Sequence, residues 1–293
     1  MNILITGGSG FVGRNLVRFF SRGHRVSFTY LRTTPPADLS AIAVPVRLNV
    51  CEEAATKDAI EKVAPEAVIH VAGNKNVRFC EANPGDAFNV NVLGVRNVAR
   101  SCRSVGARLV YLSTDLAFDC VAGGYSETDQ PEPTSVYGRT KFEGEQFAMS
   151  ELTDAAVCRS GGIYGSQSPL LSWAEKELGA GREITCLTNV KNTPTYVDNL
   201  AEMIEVILTR RLGGIFHTVG STTVSRYEFF QVFARTFELN ADLLRPIASE
   251  ALMHELFLQP NSALRSEWTS QLLGVAGLSL EEGMRALRSK GSP

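Results

Sequence analysis

The chain has 293 residues, a formal charge of −2 and a hydrophobic fraction of 44%. That length suits one nucleotide-binding domain with a smaller appendage. The near-neutral charge leaves no electrostatic footprint for nucleic acid or an anionic membrane, and no apolar run approaches the ~18 residues that span a bilayer.

The opening Met-Asn-Ile-Leu-Ile-Thr has no basic region before its apolar run, so it does not read as a signal peptide. Cys51, Cys80, Cys102, Cys120, Cys158 and Cys186 are scattered, with no pair at C-x-x-C spacing. His24, His70, His217 and His254 form no H-x-x-x-H. The expectation is free thiols in a reducing cytoplasm, and no metal site.

Strand and helix patterns alternate from the first residue. Residues 2–6 read as a short apolar strand and 10–22 as a helix with Phe11, Val12, Leu16, Val17, Phe19 and Phe20 on its apolar side. Residues 25–31 form a second strand, closed by the Thr-Thr-Pro-Pro break at 33–36, and 44–48 a third. A helix over 54–63 and a strand over 67–71 follow, the strand apolar on both faces as a covered parallel sheet requires. Residues 84–105 read as one long helix, 109–113 as the fifth strand, 137–150 as a helix and 155–158 as the sixth strand. This rhythm predicts an α/β fold with a doubly wound parallel sheet, ligands binding at the C-terminal strand ends.

Beyond Gly165 the rhythm loosens. Helices are expected over 168–181, 198–210, 226–239 and 280–288, and strands over 183–187 and 214–219. The expected division is a dinucleotide-binding domain over 1–164 with 192–220, and a small substrate-binding lobe over 165–191 and 221–293.

Between the first strand and first helix lies Thr6-Gly7-Gly8-Ser9-Gly10-Phe11-Val12-Gly13. Gly7, Gly10 and Gly13 satisfy G-x-x-G-x-x-G, and Gly8, Gly10 and Gly13 satisfy G-x-G-x-x-G. Such a turn lets a pyrophosphate touch the main chain at a helix N-terminus. NAD sites carry an acid about 20 residues further on, at the end of the second strand. Here that end reads Tyr30-Leu31-Arg32, with no carboxylate before Asp38. Arg32 is suited to a 2′-phosphate, which favours NADPH and leaves NADH open.

Tyr137 and Lys141 form Y-x-x-x-K, which sets both side chains on one helix face. A free tyrosine titrates at about 10, and a neighbouring ammonium favours the phenolate. Tyrosine then donates a proton to a carbonyl that receives hydride. Ser113-Thr114-Asp115 closes the fifth strand, where a hydroxyl can hydrogen-bond the substrate carbonyl and orient it.

Together with the Asn89-Val90-Asn91-Val92-Leu93-Gly94 helix, these motifs resemble the extended short-chain dehydrogenase/reductase family. Within it the chain is most similar to the dTDP-4-dehydrorhamnose reductases. The similarity rests on Leu-Ser-Thr-Asp (112–115), Tyr-Ser-Glu-Thr-Asp (125–129), Val-Tyr-Gly-Arg-Thr-Lys (136–141) and Pro-Thr-Tyr-Val-Asp-Asn-Leu-Ala (194–201). It extends to Gly-Ile-Phe-His-Thr-Val-Gly (214–220), Val-Ser-Arg-Tyr-Glu-Phe (224–229) and Pro-Asn-Ser-Ala-Leu (260–264).

The resemblance implies Thr114, Tyr137 and Lys141 as the catalytic set, with Asn91 holding a proton-relaying water. It implies reduction of a nucleotide-activated 4-keto-6-deoxy sugar by NADPH or NADH. The expected cofactor neighbours are Gly7, Gly8, Ser9, Gly10, Phe11, Val12 and Gly13; Tyr30 and Arg32; Asn49 and Val50; Val71, Ala72 and Gly73; Ser113; Tyr137 and Lys141; and Gly162 and Ile163. Asp115, Lys75 and Arg78 are candidate substrate contacts, and Lys191, Asn261 and Arg265 are candidates for the nucleotide diphosphate.

Two positions depart from the pattern. Leu116 stands where the reductases usually carry a tyrosine, and Asn49 where an acid is common near the third strand. Leu116 also occupies the place of the second carboxylate of a sugar 4,6-dehydratase, which argues against dehydration. A sugar epimerase, a reductase of a non-sugar ketone, and a non-catalytic NADP-binding subunit like that of methionine adenosyltransferase remain alternatives. Neither nucleic acid nor membrane is an expected partner, and a homodimer is left open.

Overall fold

The strands are apolar on both sides because helices cover the sheet from both sides. Ile3 and Ile5 join one apolar cluster and Leu4 the other, as a period of two requires, and all three are fully buried. The computed structural model describes residues 1–291. The first half runs β1 (Asn2–Thr6), α1 (Phe11–Phe20), β2 (Arg25–Tyr30), α2 (Ala37–Ile42), β3 (Val44–Arg47), α3 (Glu53–Val63), β4 (Ala67–His70), α4 (Val77–Ala82), α5 (Pro84–Phe88), α6 (Gly94–Val105) and β5 (Arg108–Thr114). The second half runs α7 (Val136–Glu151), β6 (Ala156–Tyr164), α8 (Pro169–Gly179), β7 (Ile184–Leu187), β8 (Lys191–Asn192), β9 (Pro194–Tyr196), α9 (Val197–Thr209), β10 (Gly214–His217), β11 (Val224–Ser225), α10 (Arg226–Thr236), β12 (Leu244–Ile247), α11 (Glu250–Glu255), α12 (Glu267–Leu273) and α13 (Leu280–Arg288).

The main sheet has the order β10-β6-β5-β4-β1-β2-β3, with β9 added on β6. Its pairings are parallel, so the doubly wound architecture is as the alternation predicts. The order reverses between β1 and β4, and such a switch point opens a crevice at the carboxyl ends of the strands. On one face Leu16, Val17 and Phe20 of α1 and Leu200, Ile204 and Ile207 of α9 pack on Ile3, Ile5, Phe28 and Ile69. On the other, Ile60 of α3, Val95, Val98 and Cys102 of α6 and Ala148 of α7 pack on Leu4, Val68, Leu109 and Val157. A separate apolar cluster joins Leu171 and Leu178 of α8, Ile184 of β7, Phe229 and Phe233 of α10, Leu244 of β12 and Met284 of α13. These residues fall within 165–191 and 221–293, the segments expected to form a lobe; residues 292 and 293 lie outside the described residues.

Two elements differ from the sequence expectation in ways that shape the site. The helix expected over 84–105 is broken by a π-helical turn at Asn89–Leu93. A Cβ built on Gly144 of α7 would lie 2.6 Å from the Asn91 carbonyl oxygen, so the bulged turn and α7 meet at backbone distance. An extra residue in a helical turn re-aims a side chain at such a contact. Strand β6 runs on to Tyr164 rather than ending at 158. Beyond 158 the strand continues because Arg159 finds a buried carboxylate and β9 supplies a partner at Gly161 and Tyr164. Helices α2, α4, α11 and α12 and strands β8, β9, β11 and β12 were not expected either. Each is short, and α4 begins where the Asn76 side chain caps the Phe79 N–H.

Candidate active site

The glycine loop delivers β1 into α1. Gly7 has φ +69°, and its N–H donates to Thr29 Oγ1 at 2.9 Å. A Cβ on Gly13 would lie 2.3 Å from the Gly7 carbonyl oxygen, so only glycine lets the helix start this close to the turn. The N-cap is Gly10 and makes no side-chain cap, which leaves the first N–H groups of α1 free for an anion. Gly8 is turned inward: a Cβ there would meet Phe28 Cβ at 2.5 Å. Phe11 and Val12 line the adjoining cleft, and Ser9 is half-buried at the rim of the loop.

At the end of β2, Tyr30 is half-buried and Arg32 is exposed. Asp38, the first carboxylate past that strand, is held by Arg18 at 2.8 Å, and the guanidinium keeps its carboxyl below the usual range. Asn49 is spent locally: Nδ2 donates to Glu52 Oε1 at 3.0 Å and Oδ1 accepts from Cys51 N at 3.2 Å. Val50 is buried in the apolar cluster of α3 and α6, under Gly94. Ala72 packs against the same cluster, whereas Val71, Gly73, Gly162 and Ile163 line the cleft.

The cleft has a volume of about 730 Å³ and takes Thr114 and Asp115 from the end of β5 and Tyr137 and Lys141 from α7. Ser135 starts α7 by accepting from Gly138 N at 3.0 Å, which fixes the turn that carries Tyr137. Lys141 Nζ donates to the Leu112 carbonyl at 2.7 Å and stands 4.1 Å above the Tyr111 ring. Burial draws the Lys141 pKa down to about 7, with Glu145 pulling it back up. Burial also pushes the Tyr137 phenol above its ordinary value, opposed by the Thr114 hydroxyl and reinforced by the Asp115 charge. The expectation from the sequence is that the neighbouring ammonium lowers the phenol; here desolvation is the leading cause and raises it. A phenol that keeps its proton is the form a proton donor needs.

Thr114 Oγ1 donates to Asp115 Oδ1 at 3.1 Å and accepts from Leu116 N at 3.2 Å. Asp115 Oδ2 accepts from Ser262 at 2.6 Å, and burial lifts this carboxyl to about 6 against the pull of those two hydroxyls. Asn91 is buried and engaged on every side. Its Oδ1 accepts from Asn74 N at 2.8 Å, and its Nδ2 donates to Asn74 O at 3.1 Å and Thr140 Oγ1 at 3.2 Å. These bonds pin the 74–76 loop beside the cleft. The Ser113 hydroxyl is likewise committed, to Glu145.

Glu145, one turn after Lys141, forms a buried ion pair with Arg159 of β6 at 2.7 Å, the side chains 0% and 1% exposed. Removing one partner leaves an uncompensated buried charge, so Glu145→Ala is expected to cost about 3–5 kcal/mol in urea unfolding. Glu145→Met combined with Arg159→Met should recover most of that loss. A cost under about 1 kcal/mol, the range of exposed pairs, would contradict the buried reading.

The candidate substrate cations separate. Lys75 and Lys191 line the cleft, with Lys75 Nζ 5.9 Å from the Phe11 ring centroid. Arg78 donates instead to the Glu255 carbonyl at 2.7 Å, outside the cleft lining. Asn261 Nδ2 donates to the Ala122 carbonyl at 3.0 Å, at the seam between the 120–125 loop and the C-terminal segment. Arg265 is exposed and lies outside the cleft lining. Arg226, Asn192, Gln259, Trp173, Phe229 and Phe257 line the cleft without having been expected there. The local signal at Arg226 is a cation just behind the capping residue Ser225, but only the tertiary fold turns that helix start into the cleft.

The family described as RmlD substrate binding domain matches residues 1–289. Methionine adenosyltransferase 2 subunit beta of Xenopus tropicalis is 30% identical over 281 residues, 92% of this chain and 79% of its own length. The dTDP-4-dehydrorhamnose reductase of Mycobacterium tuberculosis is 33% identical over 226 residues, 73% of this chain and 71% of its own length. The crystal structure of dTDP-4-dehydrorhamnose reductase from Bacillus anthracis in complex with NADP superposes with a TM-score of 0.86 at 24% identity, over 99% of each chain. With the glycine loop, the strand order and the Tyr137/Lys141 wall in place, the family match along nearly the whole length settles the kinship: this chain belongs to the RmlD substrate-binding-domain family.

Proposed function

We propose that the chain is an NADPH-dependent reductase that converts the keto group of a nucleotide-activated 4-keto-6-deoxy sugar to an alcohol, with Tyr137 as proton donor. The observation that carries this reading is convergence. Thr114 from β5 and Tyr137 and Lys141 from α7 line the same cleft as Phe11 and Val12 of the glycine loop. The reductase named in Mycobacterium tuberculosis and the NADP complex from Bacillus anthracis support it.

The residues present fit a dinucleotide. The uncapped start of α1 suits the pyrophosphate, the exposed Arg32 suits a 2′-phosphate, and Val71, Gly73, Gly162 and Ile163 offer a largely apolar channel to the reaction centre. When bound, NADPH supplies the hydride. Thr114 turns its hydroxyl from Asp115 to the substrate carbonyl and orients it. Tyr137 gives its proton to the carbonyl oxygen, and Lys141 returns positive charge to the phenol once ligands enclose the site. Leu116, which also lines the cleft, places no carboxylate beside Asp115, which speaks for reduction over dehydration.

Arg32→Ala is expected to lower the NADPH-over-NADH preference about 10- to 100-fold, the worth of a charge-assisted pair to phosphate. KM values for both cofactors check this, and an unchanged ratio removes Arg32 from the site.

A second reading is a non-catalytic NADP-binding subunit. It is favoured by the similarity to methionine adenosyltransferase 2 subunit beta over 92% of the chain. Oxidation of NADPH with freshly prepared dTDP-4-keto-6-deoxyglucose, followed at the nicotinamide absorbance, separates the two. Turnover supports the reductase. Tight NADPH binding with no turnover across a panel of keto sugars and simple ketones supports the subunit. Among the described residues no helix is long and apolar enough to cross a membrane; we place the reaction in the cytoplasm.

A further inference from the structure

Arg226 opens α10 directly after its capping residue Ser225. Its backbone N–H donates to the Val190 carbonyl at 3.1 Å, and β11 pairs with β8 so that Ser225 faces Lys191. These bonds tie the start of α10 to the 190–192 segment. Val190, Lys191, Asn192 and Arg226 together form one side of the cleft.

Arg226 is half-buried in the cleft wall, and among the described residues its guanidinium has no hydrogen-bond or ion-pair partner. Two other enclosed arginines each hold a carboxylate: Arg108 holds Asp154 at 3.0 Å and Arg159 holds Glu145 at 2.7 Å. Arg226 feels the charge of Asp115, but both oxygens of that carboxylate are taken, by Thr114 and Ser262. A guanidinium with no protein partner at a cleft wall has its five N–H donors open to a ligand.

The surroundings indicate what that ligand is. A planar guanidinium binds paired anionic oxygens in bidentate fashion, and Lys191 adds a second cation on the adjoining strand. Phe229, one turn along α10, and Trp173 and Phe257 supply aromatic surface in the same cleft, Trp173 46% and Phe257 43% exposed and so open to a ligand. Asp115, the residue after Thr114, lies within electrostatic reach of Arg226, which puts the anion close to the reacting carbonyl.

We propose that Arg226, assisted by Lys191, is the anion anchor of the substrate, gripping the diphosphate of a nucleoside-diphosphate-linked ketone while the aromatic wall takes the base. The proposal rests on the reductase reading for the substrate class but not for the existence of the anion site. It moves the diphosphate from Arg265 and Asn261, which lie outside the cleft, to a residue that faces into it.

Calorimetric titration of the NADP⁺-loaded protein tests the proposal, with dTDP, inorganic pyrophosphate, thymidine and acetate as probes. Wild type should bind dTDP and pyrophosphate. Arg226→Gln should weaken both roughly 10- to 100-fold, leaving thymidine and NADP⁺ affinities unchanged. Arg226→Lys, which keeps the charge but loses the bidentate fork, should lose several-fold, and it carries the test if the glutamine variant does not fold. Wild-type dTDP affinity in both variants, a loss confined to acetate, or a loss produced by Arg265→Gln instead would overturn the anchor. The two proposals fail separately. If Arg226→Gln loses dTDP while wild type reduces no nucleotide sugar, the anchor stands and the reductase reading falls. If wild type reduces the sugar and Arg226→Gln keeps its KM, the reverse holds.

Discussion

Tyr137→Phe is expected to lower kcat by about 10²- to 10⁴-fold, the usual worth of a positioned general acid. The substitution removes one oxygen and keeps the ring, so the half-buried packing of Tyr137 at the head of α7 is preserved. Affinity for NADPH should stay within about twofold, because the uncapped start of α1 and Arg32 are untouched. Steady-state nicotinamide absorbance gives the first quantity and fluorescence titration of NADPH the second. A variant with full turnover would leave the fold and the cofactor site standing but would end the proton-transfer mechanism. Loss of both activity and NADPH binding would point to misfolding, which the thermal midpoint resolves.

Lys141→Met should pair an equally severe loss of turnover with a gain in stability. Lys141 is buried, and its pKa falls to about 7 from an ordinary 10.5. Between those two values the unfolded chain holds a proton that the folded chain has released, so stability rises with pH across that window. Below about 7 the folded chain carries the full cost of a buried ammonium. Each pH unit within the window is worth at most about 1.4 kcal/mol. Replacement by methionine fills similar volume without the charge, and is expected to add about 2–4 kcal/mol at pH 6.5. The hydrogen bond to the Leu112 carbonyl, 2.7 Å in length, is lost and offsets part of that gain. Urea unfolding of the ligand-free protein at several pH values between 6.5 and 9.5 reads both effects. Wild type should show a rising slope and the variant a flatter one. A wild type whose stability is flat over that range would mean that Lys141 is solvated or paired in a way its surroundings do not show. Such a residue, costly to the empty fold and needed for turnover, is the common form of an activity–stability trade-off.

The residues that act through the backbone were the most legible. The glycine loop needs glycine at Gly13 because a Cβ there would meet the loop's own backbone, and at Gly7 because its φ is +69°. Tyr137 and Lys141 share a helix face by period alone, and Thr114 closes a strand whose place in a parallel sheet follows from alternation. Local periodicity also located the main strands, since helices covering both faces make each run apolar.

What only the tertiary structure decided concerns side chains whose partners lie far along the chain. Asn91 reads as a polar residue on a helix, yet a π-helical turn spends it on Asn74 and Thr140. Arg159 lies past the expected strand end at 158, yet it continues β6 because Glu145 waits in α7. Arg265 and Arg226 are both arginines in a C-terminal segment of mixed pattern, and nothing within a few residues of either tells which faces the ligand. That choice depends on β8 pairing with β11 and on α10 starting at the cleft wall. Charge and hydrogen-bond partners act over a few ångströms in space, whereas sequence spacing reports only neighbours along the backbone. The dinucleotide loop and the Tyr137/Lys141 pair were therefore written in the sequence itself, while the direction of the Tyr137 and Lys141 pKa shifts and the turning of Arg226 into the cleft came from burial and packing, which only the assembled sheet and lobe create.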